Sequence, residues 1–167
     1  YSPAEPHKPD IHILAVGINT YQNNRYDLNY CVDDSWAFVR SLEPRAKKLF
    51  NLVNVYVIHN FHASKANISN QLNLIASIAK PEDVFILYYG GHGIVIGNES
   101  EQGEFFFVLP SITQMTDLQQ CREFGLSAAE LRDWSRRIKA AKQLMFIDAC
   151  NSGSFAESYT MRGAAEE

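Results

Sequence analysis

Four short apolar runs recur along this chain, and each closes where a helix or a glycine turn should begin. Residues 11–17 (IHILAVG), 52–59 (LVNVYVIH), 83–89 (DVFILYY) and 143–148 (QLMFID) have the length and the β-branched or aromatic content of buried strands. Helical patterns separate them. Asp33 and Asp34 suit the first turn of a helix carrying Trp36, Phe38, Val39 and Leu42. Pro44 either ends that helix or begins a second one running to Phe50. Ser64 is the expected N-cap of a helix to Lys80, with Ile68, Leu72, Ile75, Ala76 and Ile78 on its apolar positions and Pro81 stopping it. Residues 104–109 (EFFFVL) read as a further strand or hairpin arm. Ser127 and Glu130 form a capping box ahead of Leu131, Trp134 and Ile138. Strands alternating with helices in this way fold as an α/β layer structure, a mostly parallel sheet with helices on its faces.

Composition narrows what such a sheet can serve. The chain is 46% hydrophobic and 20% charged, enough for one buried core. Its net charge is −4, and no basic run reaches the density of a phosphate-backbone binder, so no nucleic-acid contact is expected. No apolar run approaches a membrane span, so no membrane contact is expected either. The three cysteines, Cys31, Cys121 and Cys150, have no CxxC spacing, which speaks against a structural zinc site or a disulfide scaffold. Residues 1–10, with three prolines, read as a linker arriving from an upstream region.

In parallel α/β sheets, ligands meet the loops at the carboxyl ends of the strands. Two such turns carry chemistry. One strand runs into Gly90, Gly91, His92 and Gly93; another runs into Ala149, Cys150, Asn151, Ser152 and Gly153. On adjacent strands, about 5 Å apart, a thiol and an imidazole can converge on one substrate carbonyl. Cys150 is then the nucleophile, and His92 takes its proton and returns it to the leaving amine. The amides of Gly93 and Cys150 are the natural oxyanion donors. Glycines at 90, 91 and 93 allow positive φ angles and leave room for a peptide against the backbone.

These residues resemble the caspase-like cysteine peptidases, and among them the metacaspases and bacterial orthocaspases. The resemblance rests on YYGGHG at 88–93, DACNSG at 148–153 and NYCVDDSWAF at 29–38, in that family's order. The caspase signature Q-A-C-x-G, with its histidine about 50 residues upstream, is modified here toward the metacaspase pattern D-x-C-x-S-G. The resemblance implies a caspase-like three-layer sandwich over residues 11–158, followed by an inter-subunit linker or processed tail at 159–167. It implies a His92–Cys150 dyad, Gly93 in the oxyanion hole, and Asp34 and Asp148 in an acidic pocket for Arg or Lys, with Asp33 a weaker candidate. It also implies a C-terminal small-subunit portion outside this chain, an upstream regulatory region, a protein or peptide substrate and a cytoplasmic setting.

The departures from the family's pattern are specific. Gly90 stands where metacaspases usually have Ser. Their calcium-binding acidic residues have no clear counterpart among Glu99, Glu101, Glu104 and Asp117, so no cofactor is expected and calcium lacks a clear site. Arg162 is a candidate self-cleavage point. Two other readings remain open: legumain-like specificity for Asn or Asp, since CNSGS also fits that turn, and a catalytically silent caspase-like scaffold. Asp34 could also be an ordinary helix N-cap or first-turn charge. Cys31 reads as a small buried filler, Cys121 as an exposed thiol, and Trp36, Trp134 and Phe105–Phe107 as packing residues. His12, His59 and His62 read as histidines with structural partners.

Overall fold

The computed structural model describes residues 8–97 and 103–149. Cys150, Gly153, Arg162, Glu99 and Glu101 lie outside the described residues, as does most of the expected linker at 1–10.

Strand β1 (Ile11–Gly17) is wholly buried, as an apolar run between helix layers must be. It lies between β2 (Val53–His59) and β3 (Val84–Gly90), and β3 pairs with β7 (Lys142–Asp148). All three pairings are parallel and in register, giving the order β2-β1-β3-β7. Alternation along the strands assigns the two faces. Ile11, Ile13, Ala15, Val84, Ile86 and Tyr88 point toward α1 (Cys31–Leu49) and pack on its Val39 and Ala46. Leu14, Val16, Phe85, Leu87 and Tyr89 point the other way, onto α2 (Lys65–Ile78) and α4 (Ala128–Arg137). The result is helix, sheet, helix: the α/β sandwich expected from the sequence.

Local signals explain the helix ends. Ser64 Oγ accepts the Asn67 N–H at 3.1 Å, and the Ser127–Glu130 capping box closes in both directions. Helix α2 ends at Ile78, two residues short of the expected Lys80. Pro44 neither ends nor begins a helix. It sits exposed inside the single 19-residue α1, because Val39 and Leu42 before it and Ala46 after it pack on the same sheet face. The N-cap of α1 is Tyr30, so Asp34 is a first-turn residue and not the cap.

Between β3 and β7 the chain builds a second, antiparallel sheet from β4 (Gly93–Ile96), β5 (Glu104–Phe107) and β6 (Leu126–Ser127). Phe105, Phe106 and Phe107 are buried there, as expected of packing residues. A short helix, α3 (Leu118–Phe124), precedes β6; Asp117 caps it by accepting the Gln119 and Gln120 N–H groups.

Two side chains depart from expectation. Cys121 is buried, not exposed: α3 turns its thiol inward to donate to Met115 O at 3.2 Å. Trp36 is partly exposed at the rim, edge-on to His59 at 5.5 Å and under the Arg40 guanidinium. His12 and His59 do have structural partners, Asp83 at 3.3 Å and Ser35 at 2.7 Å. Among the described residues, no helix is long and apolar enough to cross a membrane.

Candidate active site

The in-register pairing of the main sheet sets its carboxyl ends in one row. His59 lies opposite Gly17, Gly17 opposite Gly90, and Gly90 opposite Asp148. The histidine turn therefore leaves the sheet directly beside the strand that leads, two residues later in the sequence, to Cys150. The Gly91 N–H donates to Asp148 O at 3.2 Å, tying the histidine turn to the end of β7.

His92 is half-buried and held on several sides. Its imidazole Nε2 stands 2.8 Å from Tyr26 O. A carbonyl oxygen only accepts, so Nε2 carries the proton and the neutral ring keeps Nδ1 as its acceptor. The Tyr21 and Tyr26 rings flank the imidazole, with centroids 5.1 and 6.2 Å away. On the main chain, the His92 N–H donates to the Tyr21 hydroxyl at 3.1 Å, and the Tyr89 hydroxyl donates to His92 O at 2.9 Å. The loop that brings Tyr21 and Tyr26 is itself tied down. Asp27 Oδ1 accepts the Tyr21 N–H at 2.8 Å, and Asn60 Oδ1 accepts the Asn19 and Thr20 N–H groups at 2.8 and 3.2 Å.

The described glycines do not use the positive φ open to them. No described glycine has positive φ; among the described non-glycine residues only Asn60, at 49°, lies in that region. Close approach is the reason instead. A Cβ on Gly91 would stand 2.8 Å from the Tyr89 hydroxyl oxygen and 3.1 Å from that of Tyr21. A Cβ on Gly17 would stand 2.5 Å from Cys31 O, so this glycine lets α1 start against the end of β1. Gly90 is less confined: its nearest neighbours would be 3.4 Å away, at Cys31 and Tyr88.

Consecutive tyrosines on β3 serve opposite faces. Tyr89 goes to the histidine side. Tyr88 goes to the α1 side, stacked on Phe38 at 4.9 Å. There the first turn of α1 and the end of β7 bring acidic groups to the same place. Burial, then Asp148, then Asp34 push the Cys31 thiol up; the same influences, with Cys31, push the Tyr88 phenol up to about 12. Asp34 and Asp148 are exposed, and Cys31 is half-buried rather than a core filler. Gly93 opens β4, opposite Phe107. Among the described residues, no group of three His, Cys, Asp or Glu side chains is placed to hold a metal ion.

Sequence reasoning missed Tyr21 and the Tyr26 carbonyl. A main-chain acceptor has no residue-type signature, and Tyr21 lies 71 positions from its partner.

The family comparison decides the matter. Residues 12–167 match the peptidase C14 caspase domain. The chain belongs to the caspase-domain family of cysteine peptidases. The structure of protein GSU0716 from Geobacter sulfurreducens shares the fold of this caspase domain at a TM-score of 0.66 and 20% identity. The superposition covers 85% of this chain and 51% of that one, so the caspase domain described here spans about half its length. Comparison with curated protein sequences finds no significant match.

Proposed function

We propose that this caspase domain is a cysteine endopeptidase of the metacaspase or orthocaspase type, cutting protein substrates after Arg or Lys. The observation that carries this reading is the register of β3 on β7, with Gly90 opposite Asp148. It sets the turn bearing His92 beside the strand that leads to Cys150.

The chemistry then follows from the tautomer. With Nε2–H held by Tyr26 O, Nδ1 takes the Cys150 thiol proton. The thiolate adds to the scissile carbonyl, and the oxyanion is received by the Gly93 and Cys150 N–H groups. The imidazolium gives its proton to the leaving amine, and a thioester remains. A water, deprotonated by the same nitrogen, hydrolyses it. The Tyr26 carbonyl accepts from Nε2–H whether the ring is neutral or protonated, so the ring stays in place through both proton transfers.

Specificity for a cation is supported by the two carboxylates whose fields meet at Cys31 and Tyr88. A guanidinium or ammonium there would pair with both carboxylates through charge-assisted hydrogen bonds. The same charges disfavour the Asp specificity of a legumain-like enzyme.

A further chain portion completes the domain on this reading. β7 is an edge strand among the described residues, and its Leu144 and Phe146 are 49% and 45% exposed. A C-terminal small-subunit portion laid against that edge would cover them. Cleavage after Arg162 by the enzyme itself would separate the two portions and is the proposed activation step, with an upstream region regulating it.

The test is hydrolysis of fluorogenic Arg, Lys, Asn and Asp peptides by the full-length protein. Cleavage after Arg and Lys, abolished by Cys150→Ala and by His92→Ala, is expected. Activity retained in either variant would refute the dyad, and preference for Asn would refute the acidic pocket.

A further inference from the structure

We propose that the hydroxyls of Tyr21 and Tyr89 close a ring of hydrogen bonds around the main chain of His92, and that Tyr21 is a positioning residue for its imidazole. The inference rests on His92 being the base of the proposed peptidase.

The ring follows from counting protons. The His92 N–H donates to the Tyr21 oxygen at 3.1 Å, and the Tyr89 O–H donates to the His92 carbonyl at 2.9 Å. The Tyr89 and Tyr21 hydroxyl oxygens crowd the same point, 2.8 and 3.1 Å from where a Cβ on Gly91 would stand. Each phenol has a single proton. Tyr89 uses its proton on the carbonyls in reach, His92 O and Val108 O, so its lone pairs are left to accept from Tyr21. Tyr21, whose oxygen receives the N–H, gives its proton to Tyr89. Reversing the bond between the phenols would take the Tyr89 proton away from its two carbonyl acceptors, so the sense from Tyr21 to Tyr89 is the one that keeps them. In this sense each bond polarises the next.

The packing supports the same arrangement. Both phenols are buried, with Tyr21 and Tyr89 each 3% exposed. The space that a Cβ on Gly91 would need is taken by their two oxygens. Val108 adds to the clamp: its N–H donates to His92 O at 2.9 Å, and its carbonyl is a second acceptor for Tyr89 at 3.0 Å. The loop that supplies the Tyr21 hydroxyl also supplies the Tyr26 carbonyl to Nε2. A single loop thus grips His92 at both its peptide unit and its ring. Fixing the peptide unit fixes the direction in which the side chain leaves it, and hence where Nδ1 points.

The experiment compares Tyr21→Phe, Tyr89→Phe and the double variant in the full-length protein, with His92→Ala as control. Peptidyl-Arg hydrolysis gives kcat and KM, and nitrogen NMR gives the His92 tautomer. Each single variant is expected to lower kcat about tenfold with KM held within about twofold, as for a lost orienting hydrogen bond. The double variant should lose no more than either single one, since the ring opens once. His92 should be the Nε2–H tautomer in the wild type and a mixture in Tyr21→Phe. Unchanged kcat in Tyr21→Phe, or losses that multiply in the double variant, would overturn the proposal. If the wild type shows no His92-dependent turnover, the peptidase reading fails and the tautomer decides the ring by itself: identical His92 spectra in wild type and Tyr21→Phe would refute it. If Tyr89→Phe does not fold, the kcat-against-KM split and the tautomer of Tyr21→Phe decide.

Discussion

Adding one methyl group at Gly91 should damage this protein far more than adding one at Gly90. At Gly91 the new Cβ would sit 2.8 Å from the Tyr89 oxygen, 3.0 Å from that ring's Cζ and 3.1 Å from the Tyr21 oxygen. These are the tips of side chains, but they cannot swing away. Tyr89 is held by two carbonyls and packed against Phe107 at 4.6 Å. Overpacking costs about 1–3 kcal/mol. Prising the hydroxyls off His92 adds about 1 kcal/mol for each hydrogen bond lost. Gly91→Ala should therefore cost about 2–5 kcal/mol, or on the order of 5–15 °C in Tm. At Gly90 every neighbour stays at 3.4 Å, which is ordinary contact, and Ala also limits the unfolded chain. Gly90→Ala should fall within about 1 kcal/mol of the wild type. Thermal unfolding followed by circular dichroism measures both, and peptidyl-Arg hydrolysis should fail for Gly91→Ala alone. Equal stability of the two variants would refute the close-approach argument and with it the arrangement around His92.

Three further outcomes are expected. Asp148→Ala and Asp34→Ala should each lower kcat/KM for an Arg peptide about 10- to 100-fold, the worth of one charge-assisted pair partly open to water, with little change for an uncharged residue at that position; steady-state kinetics would show otherwise. Burial raises the Asp83 carboxyl, but the Lys80 and Asp10 N–H groups and His12 outweigh it and hold it below 3.8. Its stabilising contribution is therefore complete above that value and is lost as pH falls through the lower folded one. Asp83→Asn should thus lower Tm at pH 7 and converge with the wild type in acid; a difference independent of pH would contradict this. Cys121, buried and pushed up to about 11 by burial and Asp117, should resist iodoacetamide at pH 8 in the native protein and react after denaturation, as read by mass spectrometry.

The sequence carried the parallel sheet because its strands are the strongest local signal in the chain. The run 11–17 became β1 without change of bounds, and the Ser127–Glu130 box became the start of α4. Pro44 misled because tertiary packing of Val39, Leu42 and Ala46 overrides a local breaker. The second sheet was visible only as one arm: β4 and β6 are four and two residues long, too short for periodicity to register. Helix α3 is one cap and two turns. At the site, residue types with their own chemistry were legible, and His92, Asp34 and Asp148 all lie at the carboxyl edge of the sheet. What holds His92 was not. A main-chain oxygen, two phenols among eight tyrosines and a glycine kept for space, not for φ, look like any others until the loop at 18–29 is folded over the turn.

Covalent trapping tests the central claim most directly. A peptidyl-Arg chloromethyl ketone, followed by peptide mapping, asks which sulfur meets a substrate carbonyl under the influence of His92. The account predicts one adduct per chain, on Cys150, and none at the same pH in His92→Ala. An adduct on Cys31 or Cys121, or labelling of Cys150 that is indifferent to His92, would contradict it.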